Sequence, residues 1–256
     1  MPIRSPILEV QAVEKSFGQL HAIDGVTFSL EPEKITILIG PNGSGKTTMV
    51  NVISGFYKPD RGDVLYKSKR ITGWAPHRVY RAGIGRTFQV PALFQKLNVL
   101  ENVLVAEKIN PGESFFRAPI PSLWRGPEES STDRAARILE LLGLLGLWDR
   151  QASTLSGGQM KLLEMGRALM SGADVLLLDE PISGVNPTLA HEIFTTIETL
   201  STKMGVTFLV IEHRLDIALE YVDRVVAMAY GKIVSSGTPD EVINDHRVIE
   251  SYLGSR

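Results

Sequence analysis

The sequence contains no cysteine, which excludes disulfide bonds and thiolate metal sites. It also lacks any apolar run near the ~20 residues that a membrane-spanning helix needs. The first six residues, MPIRSP, are not followed by the apolar segment of a signal peptide. We therefore expect a soluble, cytoplasmic protein whose membrane role, if it has one, comes through a partner.

Charges of the two signs are nearly balanced, because the chain has 27 basic and 29 acidic residues and a net charge of −2. This balance argues against a nucleic-acid-binding protein that works by bulk charge. The chain has 256 residues, 43% of them hydrophobic, and shows no internal repeat. Such a chain can form one large α/β domain or one domain with an inserted subdomain.

Short apolar runs alternate with helical patterns along much of the chain, which predicts a parallel sheet flanked by helices. A hairpin turn is expected at residues 230–232. The predicted strands are Leu8–Val13, Val26–Leu30, Ile35–Ile39, Asp63–Tyr66, Val175–Leu178, Thr207–Ile211 and Arg224–Met228.

Residues 90–171 are mainly helical in pattern and interrupt this alternation. Helices are predicted over Val99–Glu107, Thr132–Leu142 and Gly158–Met170, whereas Asn110–Glu129 carries four prolines and is expected to be irregular. We therefore expect a single domain, 1–256, in which residues 1–89 and 172–256 form an α/β core and residues 90–171 form a helical insert.

A phosphate-binding loop follows the strand Ile35–Ile39, because residues 40–47 match the pattern G-x-x-x-x-G-K-[ST]. Glycines let the backbone N–H groups turn inward, and the following helix points its positive end at the anion. We expect Lys46 to reach the β- and γ-phosphates, Thr47 to bind Mg²⁺ and Thr48 to contact the α-phosphate. The whole loop is Gly40, Pro41, Asn42, Gly43, Ser44, Gly45, Lys46, Thr47 and Thr48.

Two adjacent acids, Asp179 and Glu180, end the apolar run Val175–Leu178. Ligands of open α/β sheets bind at this edge, beyond the carboxyl ends of the strands. We expect Asp179 to hold Mg²⁺ and Glu180 to act as the general base toward the attacking water. Acids at a strand end are also common surface residues, and only the phosphate loop upstream favours the functional interpretation.

Three further residues lie where a nucleotide site is expected. Gln89, at the junction of core and insert, can reach Mg²⁺ or the water. His213 follows the strand Thr207–Ile211 and can bond the γ-phosphate. Phe17 precedes the phosphate loop and can stack on adenine, although packing in the core is an equally good explanation for a lone aromatic residue.

The stretch Leu155–Gln159, LSGGQ, opens the predicted helix of the insert. The serine hydroxyl and free N–H groups of Ser156 and Gly158, with Gln159, suit a γ-phosphate. The same residues make an ordinary helix cap, and the sequence does not choose between the two. A second γ-phosphate site looks redundant in one chain, unless one protomer closes the site of another in a head-to-tail dimer.

Together the phosphate loop, LSGGQ and the acid pair resemble the ABC ATPase family over nearly the whole chain. The resemblance implies a P-loop NTPase core of the RecA-like type with an N-terminal antiparallel β part and an inserted helical signature subdomain. It also implies ATP and Mg²⁺ as ligands and a sandwich dimer of this chain or of a paralogue. The expected partners are membrane permease subunits and, indirectly, a solute-binding protein, with the chain peripheral on the inner face of the cell membrane and not bound to nucleic acid.

Several segments are similar to the ATPases of branched-chain amino acid importers, in particular their G-type subunit. These segments are residues 85–89 (GRTFQ), 97–104 (LNVLENVL), 109–114 (INPGES), 183–187 (SGVNP), 211–214 (IEHR) and 252–254 (YLG). Three residues depart from the general ABC pattern. Phe17 occupies a position where tyrosine is more usual, and Asn186 and Arg214 occupy positions where aspartate is frequent. The change at Asn186 puts the usual acid-mediated communication between the two sites in doubt.

Other assignments stay open. An ABC ATPase core does not contact cargo, so the solute can be urea or a related amide, or the system can export lipid. Soluble ABC ATPases also act on ribosomes or DNA, but those on ribosomes carry two cassettes and those on DNA carry a long coiled coil. Residues 90–155 are too short for such a coil and hold no sustained heptads. Small-molecule kinases with a phosphate loop lack the LSGGQ stretch.

Overall fold

The computed structural model describes residues 5–88, 91–107 and 125–253. They belong to two compact units. The first contains Met1–Gln89 and Asp174–Arg256, and the second contains Val90–Ala173.

In the part of the first unit that the structure describes, ten strands build the sheets, and their apolar side chains form the core together with those of the helices. The central strands are buried along their whole length, which is typical of a parallel sheet covered on both faces. The strands are β1 Leu8–Phe17, β2 Leu20–Leu30, β3 Ile35–Ile39, β4 Arg61–Tyr66, β5 Lys69–Arg70, β6 Ile84–Arg86, β7 Val175–Asp179, β8 Thr207–Ile211, β9 Arg224–Ala229 and β10 Lys232–Gly237.

Four of these strands form an antiparallel sheet in the order β2-β1-β4-β5. The other six form a sheet in the order β10-β9-β3-β8-β7-β6, in which β10 alone is antiparallel to its neighbour. The predicted parallel sheet and the antiparallel N-terminal part are therefore present. The strands β5, β6 and β10 were not predicted. Two or three residues are too few to show a period in β5 and β6, and β10 was indicated only by the hairpin turn predicted before it.

The connection between β9 and β10 is the predicted hairpin. Ala229 pairs with Lys232, which leaves a two-residue turn of Tyr230 and Gly231. Both residues have positive φ, 50° and 76°, as a type I′ turn requires.

Among the described residues, helices connect strands of the first unit and make up much of the second unit. Those of the first unit are α1 Lys46–Ile53, α2 Pro76–Ala82, α6 Pro187–Met204, α7 Leu215–Ala218, α8 Pro239–Ile243 and α9 His246–Leu253. Those of the second unit are α3 Val99–Leu104, α4 Arg125–Leu141 and α5 Gly157–Met170, with short 3₁₀ turns at Leu145–Leu147 and Ala152–Thr154.

The second unit is held together by close approach of its helices. A Cβ at Gly166 of α5 would lie 2.8 Å from Leu142 Cδ1, and Ile138 and Val103 lie just beyond. The prediction of an irregular segment up to residue 129 was wrong at its end, since α4 already begins at Arg125. Its Pro127 lies in the first helical turn, where a missing N–H costs no hydrogen bond. Residues 110–124 of that prediction lie outside the described residues.

Within the described ranges, none of the helices is both long and apolar enough to cross a membrane.

A bulge in β1 depends on one glycine. Gly62 of β4 has φ +80°, and a Cβ built there would lie 2.3 Å from the carbonyl oxygen of Ala12, whose own φ is 45°. We expect Gly62→Ala to lower the free energy of unfolding by about 3 kcal/mol, because it adds a backbone clash to an unfavourable φ.

Gly25→Ala is the matched control, since Gly25 has φ +68° but no atom within 4 Å of the added Cβ. This variant should lose only about 1 kcal/mol, the cost of the φ value. Urea unfolding followed by circular dichroism measures both, and equal losses would contradict the clash.

Candidate functional site

The phosphate loop runs from the carboxyl end of β3 to the first turn of α1. Gly40 has φ +148°, and a Cβ there would lie 2.1 Å from the carbonyl oxygen of Met228 on the neighbouring strand. Gly45, the residue before α1, has φ +105°, and its Cβ would lie 2.5 Å from the carbonyl oxygen of Ala22. Both positions therefore require glycine for two reasons, the backbone angle and the close approach of another strand.

Lys46 opens α1, and its side chain folds back over the loop. Its Nζ donates to the carbonyl oxygens of Gly40 at 2.8 Å and Pro41 at 3.0 Å. Burial lowers the pKa of Lys46, and the charges of Glu180 and Asp179 oppose this shift. An ammonium group that is bonded to two neutral carbonyls in a buried place is well suited to bind an anion.

A cavity of about 370 Å³ opens beside this loop. All of its lining residues belong to the first unit. They comprise seven residues of the loop, residues of β1, β2 and β8, and one residue from each of the loops that follow β7 and β8. The lining residues are Phe17, Leu20, Ala22, Asn42, Gly43, Ser44, Gly45, Lys46, Thr47, Thr48, Glu180, Ile211 and His213.

Phe17 forms part of the apolar wall of this cavity, together with Leu20, Ala22 and Ile211. It is 43% exposed, and its ring makes an edge contact with Tyr57 at 5.2 Å between centroids. The alternative of core packing is therefore wrong for this residue. An exposed ring at the mouth of a cavity offers a face on which a planar base can stack.

The end of β7 lies beside the end of β8, since Asp179 pairs with Ile211. This pairing brings Glu180 and His213 together, with Glu180 Oε1 3.3 Å from His213 Nε2. Glu180 has φ +51°, an unfavourable value for a residue with a Cβ. A carboxylate and an imidazole at one wall of this cavity can accept a proton from water and contact an anion.

The carboxylate of Asp179 faces the guanidinium of Arg86 and not the cavity. Its Oδ2 lies 3.4 Å from Nη2 of Arg86, which also donates through Nη1 to Asn51 Oδ1 at 2.6 Å and to Ser54 Oγ at 3.1 Å. Burial raises the pKa of Asp179, and the charge of Arg86 opposes that shift. Arg86 thereby connects β6, β7 and α1.

Two of the three predicted Mg²⁺ ligands lie within the described residues. Thr47 lines the cavity, and Asp179, the last residue of β7, lies outside this lining and is paired with Arg86. Hard oxygen donors of this kind fit Mg²⁺, which is usually held by one or two protein groups and by phosphate. Gln89, the third, lies outside the residues that the structure describes.

The LSGGQ residues belong to the second unit, at the start of α5. Ser156 Oγ accepts from the Gln159 N–H at 3.3 Å, and Gln159 Oε1 accepts from the Ser156 N–H at 3.0 Å. This is a capping box, so the helix-cap interpretation is realised. The role of Ser156, Gly158 and Gln159 toward a γ-phosphate stays a prediction.

Two residues of this region were missed by sequence reasoning, Arg86 and Glu212. Arg86 was noted only as part of GRTFQ, and Glu212 only as the neighbour of His213. Both are charged but nearly buried, with a 9% exposed side chain for Arg86 and 2% exposure for Glu212. The sequence feature that could have identified them is their position at the ends of strands, beside residues already assigned to the site.

A family model described as "ABC transporter" matches residues 23–183. A second, described as "Branched-chain amino acid ATP-binding cassette transporter", matches residues 232–256. The chain is 46% identical over 98% of its length to the "Probable branched-chain amino acid transport ATP-binding protein LivG" of Archaeoglobus fulgidus, covering 96% of that protein. Identity to the protein of the same name from Methanocaldococcus jannaschii is 47%, with 97% of each chain covered.

A more distant relative is the "High-affinity branched-chain amino acid transport ATP-binding protein LivG" of Escherichia coli K12, 38% identical over 97% of this chain and 98% of that one. Among solved structures, the ADP conformation of MJ1267, an ATP-binding cassette of an ABC transporter, superposes with a TM-score of 0.85. It is 45% identical and covers 98% of this chain and 100% of its own. A nucleotide-free ATP-binding cassette gives a TM-score of 0.82 at 46% identity, with 96% and 98% covered.

The exposed ring of Phe17 can be tested against a nucleotide. We expect Phe17→Ala to weaken binding of a fluorescent ATP analogue roughly tenfold, because base–aromatic stacking is worth about 1–3 kcal/mol. Phe17→Tyr keeps the ring and should bind within about threefold of the wild type. An alanine variant with unchanged affinity would show that adenine lies elsewhere.

Proposed function

The chain belongs to the ABC transporter family of ATP-binding subunits, and from this membership we propose that it powers an importer of branched-chain amino acids. As a member it is an ATPase with the ABC ATPase fold. The solute is inferred from the relatives named above and from the match of residues 232–256 to a branched-chain model. The observation that carries the chemistry is the single cavity that joins the phosphate loop to Glu180 and His213.

We propose the following roles for the residues of the cavity. Lys46 exchanges its two carbonyl partners for the β- and γ-phosphate oxygens of ATP. The N–H groups of the loop and the first turn of α1 surround the same phosphates. Phe17 stacks on adenine and Thr48 contacts the α-phosphate.

Glu180 is proposed as the general base. It accepts a proton from the attacking water as the water oxygen bonds to the γ-phosphorus and the bond to ADP breaks. His213, 3.3 Å from Glu180, contacts the γ-phosphate and keeps the base in place. A Mg²⁺ ion would be held by Thr47, Asp179 and Gln89 and would supply neutralisation of phosphate charge.

The second unit is proposed as the signature subdomain. In a head-to-tail dimer, Ser156, Gly158 and Gln159 of one protomer would face the γ-phosphate bound by the other. ATP then binds the closed dimer more tightly than the open one, and hydrolysis removes that preference. The partner protomer is a second copy or a paralogue, and closure acts on permease subunits that hold the chain at the inner face of the membrane.

The general base is tested by Glu180→Gln, which keeps the shape but cannot take a proton. We expect it to bind ATP, to hydrolyse it at less than about a tenth of the wild-type rate and to accumulate as a dimer with ATP and Mg²⁺. Turnover above that level would argue against Glu180. Gel filtration and a phosphate-release assay give both readouts.

Two variants serve as controls for that measurement. Lys46→Ala should lose nucleotide affinity, so it neither hydrolyses ATP nor dimerises. Ser156→Arg should bind ATP normally but fail to form the dimer, and ATP-induced dimers in that variant would contradict the cross-protomer site.

The transport role is tested with tagged Glu180→Gln protein, ATP and Mg²⁺ in detergent-solubilised native membranes. We expect polytopic permease subunits to co-purify, identified by mass spectrometry, and Lys46→Ala to recover fewer of them. The wild-type complex in proteoliposomes should take up labelled leucine when its solute-binding protein is added. Uptake of urea and not of leucine would show that the proposed solute is wrong. Co-purification of ribosomal or DNA-bound proteins without permeases would overturn the transport role.

A further inference from the structure

Glu212 is a buried carboxylate directly behind the wall of the cavity. It follows the last residue of β8, and it is only 2% exposed. Its oxygens accept three backbone hydrogen bonds, from the N–H groups of Ile182 at 2.8 Å, His213 at 3.0 Å and Arg214 at 3.4 Å. A buried carboxylate is costly unless donors of this kind satisfy it.

The two oxygens of Glu212 serve two different loops. Oε1 accepts from Ile182, in the loop that follows β7. Oε2 accepts from His213 and Arg214, in the loop that follows β8. One side chain therefore ties the loop that carries Glu180 to the loop that carries His213.

The loop after β7 needs such a restraint because Glu180 is in an unfavourable conformation. Its φ is +51°, which costs a residue with a Cβ about 1–3 kcal/mol. Its N–H donates to Ile211 O at 2.9 Å, and its carbonyl accepts from the Ser183 N–H at 3.1 Å. Ile182 between them is fully buried, so the bond to Glu212 fixes the middle of the turn.

We propose that Glu212 is a positioning residue for ATP hydrolysis, which holds Glu180 and His213 at the separation that the reaction needs. The inference rests on the proposed roles of those two residues. Glu212 itself is 2% exposed and is not among the cavity's lining residues. A misplacement of about 1 Å in a catalytic group can cost about a hundredfold in rate.

Glu212 is expected to affect the rate of ATP hydrolysis and not the affinity for ATP. Lys46 and the phosphate loop lie on β3 and α1, and the three hydrogen bonds of Glu212 reach only the loops after β7 and β8. A change at Glu212 should therefore lower kcat and leave the binding of ATP almost intact. A general loss of folding would lower the active fraction and the thermal midpoint instead.

Glu212→Gln is the sharpest variant because it keeps the size of the side chain. A carboxamide has one acceptor oxygen, so its NH₂ group must face the N–H of one of the two loops. We expect kcat to fall roughly 10- to 100-fold, with the KM for ATP within about threefold of the wild type. Should this variant be too unstable to assay, Glu212→Asp keeps both oxygens but is one methylene shorter, and the same split is expected.

Asp223→Asn is the matched control. Asp223 Oδ2 also accepts a backbone hydrogen bond, from Ile35 N–H at 2.9 Å, but at the amino end of the same sheet. Its replacement should lower the thermal midpoint without lowering kcat more than about twofold.

A double variant tests whether Glu212 acts through His213. If it does, adding Glu212→Gln to His213→Ala should slow that variant by less than about threefold, because the two changes disturb one unit. The proposal would be overturned if the double variant lost kcat by the product of the two single losses. It would also be overturned if the kcat of Glu212→Gln stayed within threefold of the wild-type value. If Glu180→Gln also retains turnover, the proposed role of Glu180 as the general base is wrong, and the result does not bear on Glu212.

Discussion

The parallel pairing of β3, β8 and β7 is the constraint on which the site depends. Parallel strands end at the same edge of a sheet, and neighbouring strands lie about 4.8 Å apart. Leu38 and Asp179 both pair with Ile211, so the three strands end level with one another. The phosphate loop, the acid pair and the segment of Glu212 and His213 must therefore emerge side by side, although up to about 170 residues separate them in the sequence.

The same pairing decides which of two adjacent residues reaches the cavity. At the end of β8, Glu212 is buried and His213 lines the cavity, as the alternation of side chains in an extended chain predicts. A slip of β8 by one residue would exchange them, placing an imidazole among backbone N–H groups and a carboxylate beside the phosphates. The buried run Thr207–Ile211 therefore specifies the site as well as the core.

Most of the site follows from short-range patterns. The phosphate loop is predictable because its spacing and glycines are set by local backbone geometry, and the strand ends because apolar runs stop at polar residues. Arg86 and Glu212 were not predictable in the same way. Their burial depends on partners 93 and 30 residues away, Asp179 and Ile182. A single charged residue in a sequence gives no sign of which distant group will satisfy it.

The two interpretations of LSGGQ that the sequence left open are compatible in the structure. The cap at Ser156 uses a lone pair of its hydroxyl oxygen to accept from Gln159, and the hydroxyl proton stays available as a donor. The Met160 N–H is bonded to the Ser156 carbonyl, whereas helix geometry directs the N–H groups of Gly157 and Gly158 out of the helix end. An anion would need these remaining donors, while the cap needs only the acceptor. The sequence could not choose between a cap and an anion site because one helix end can be both.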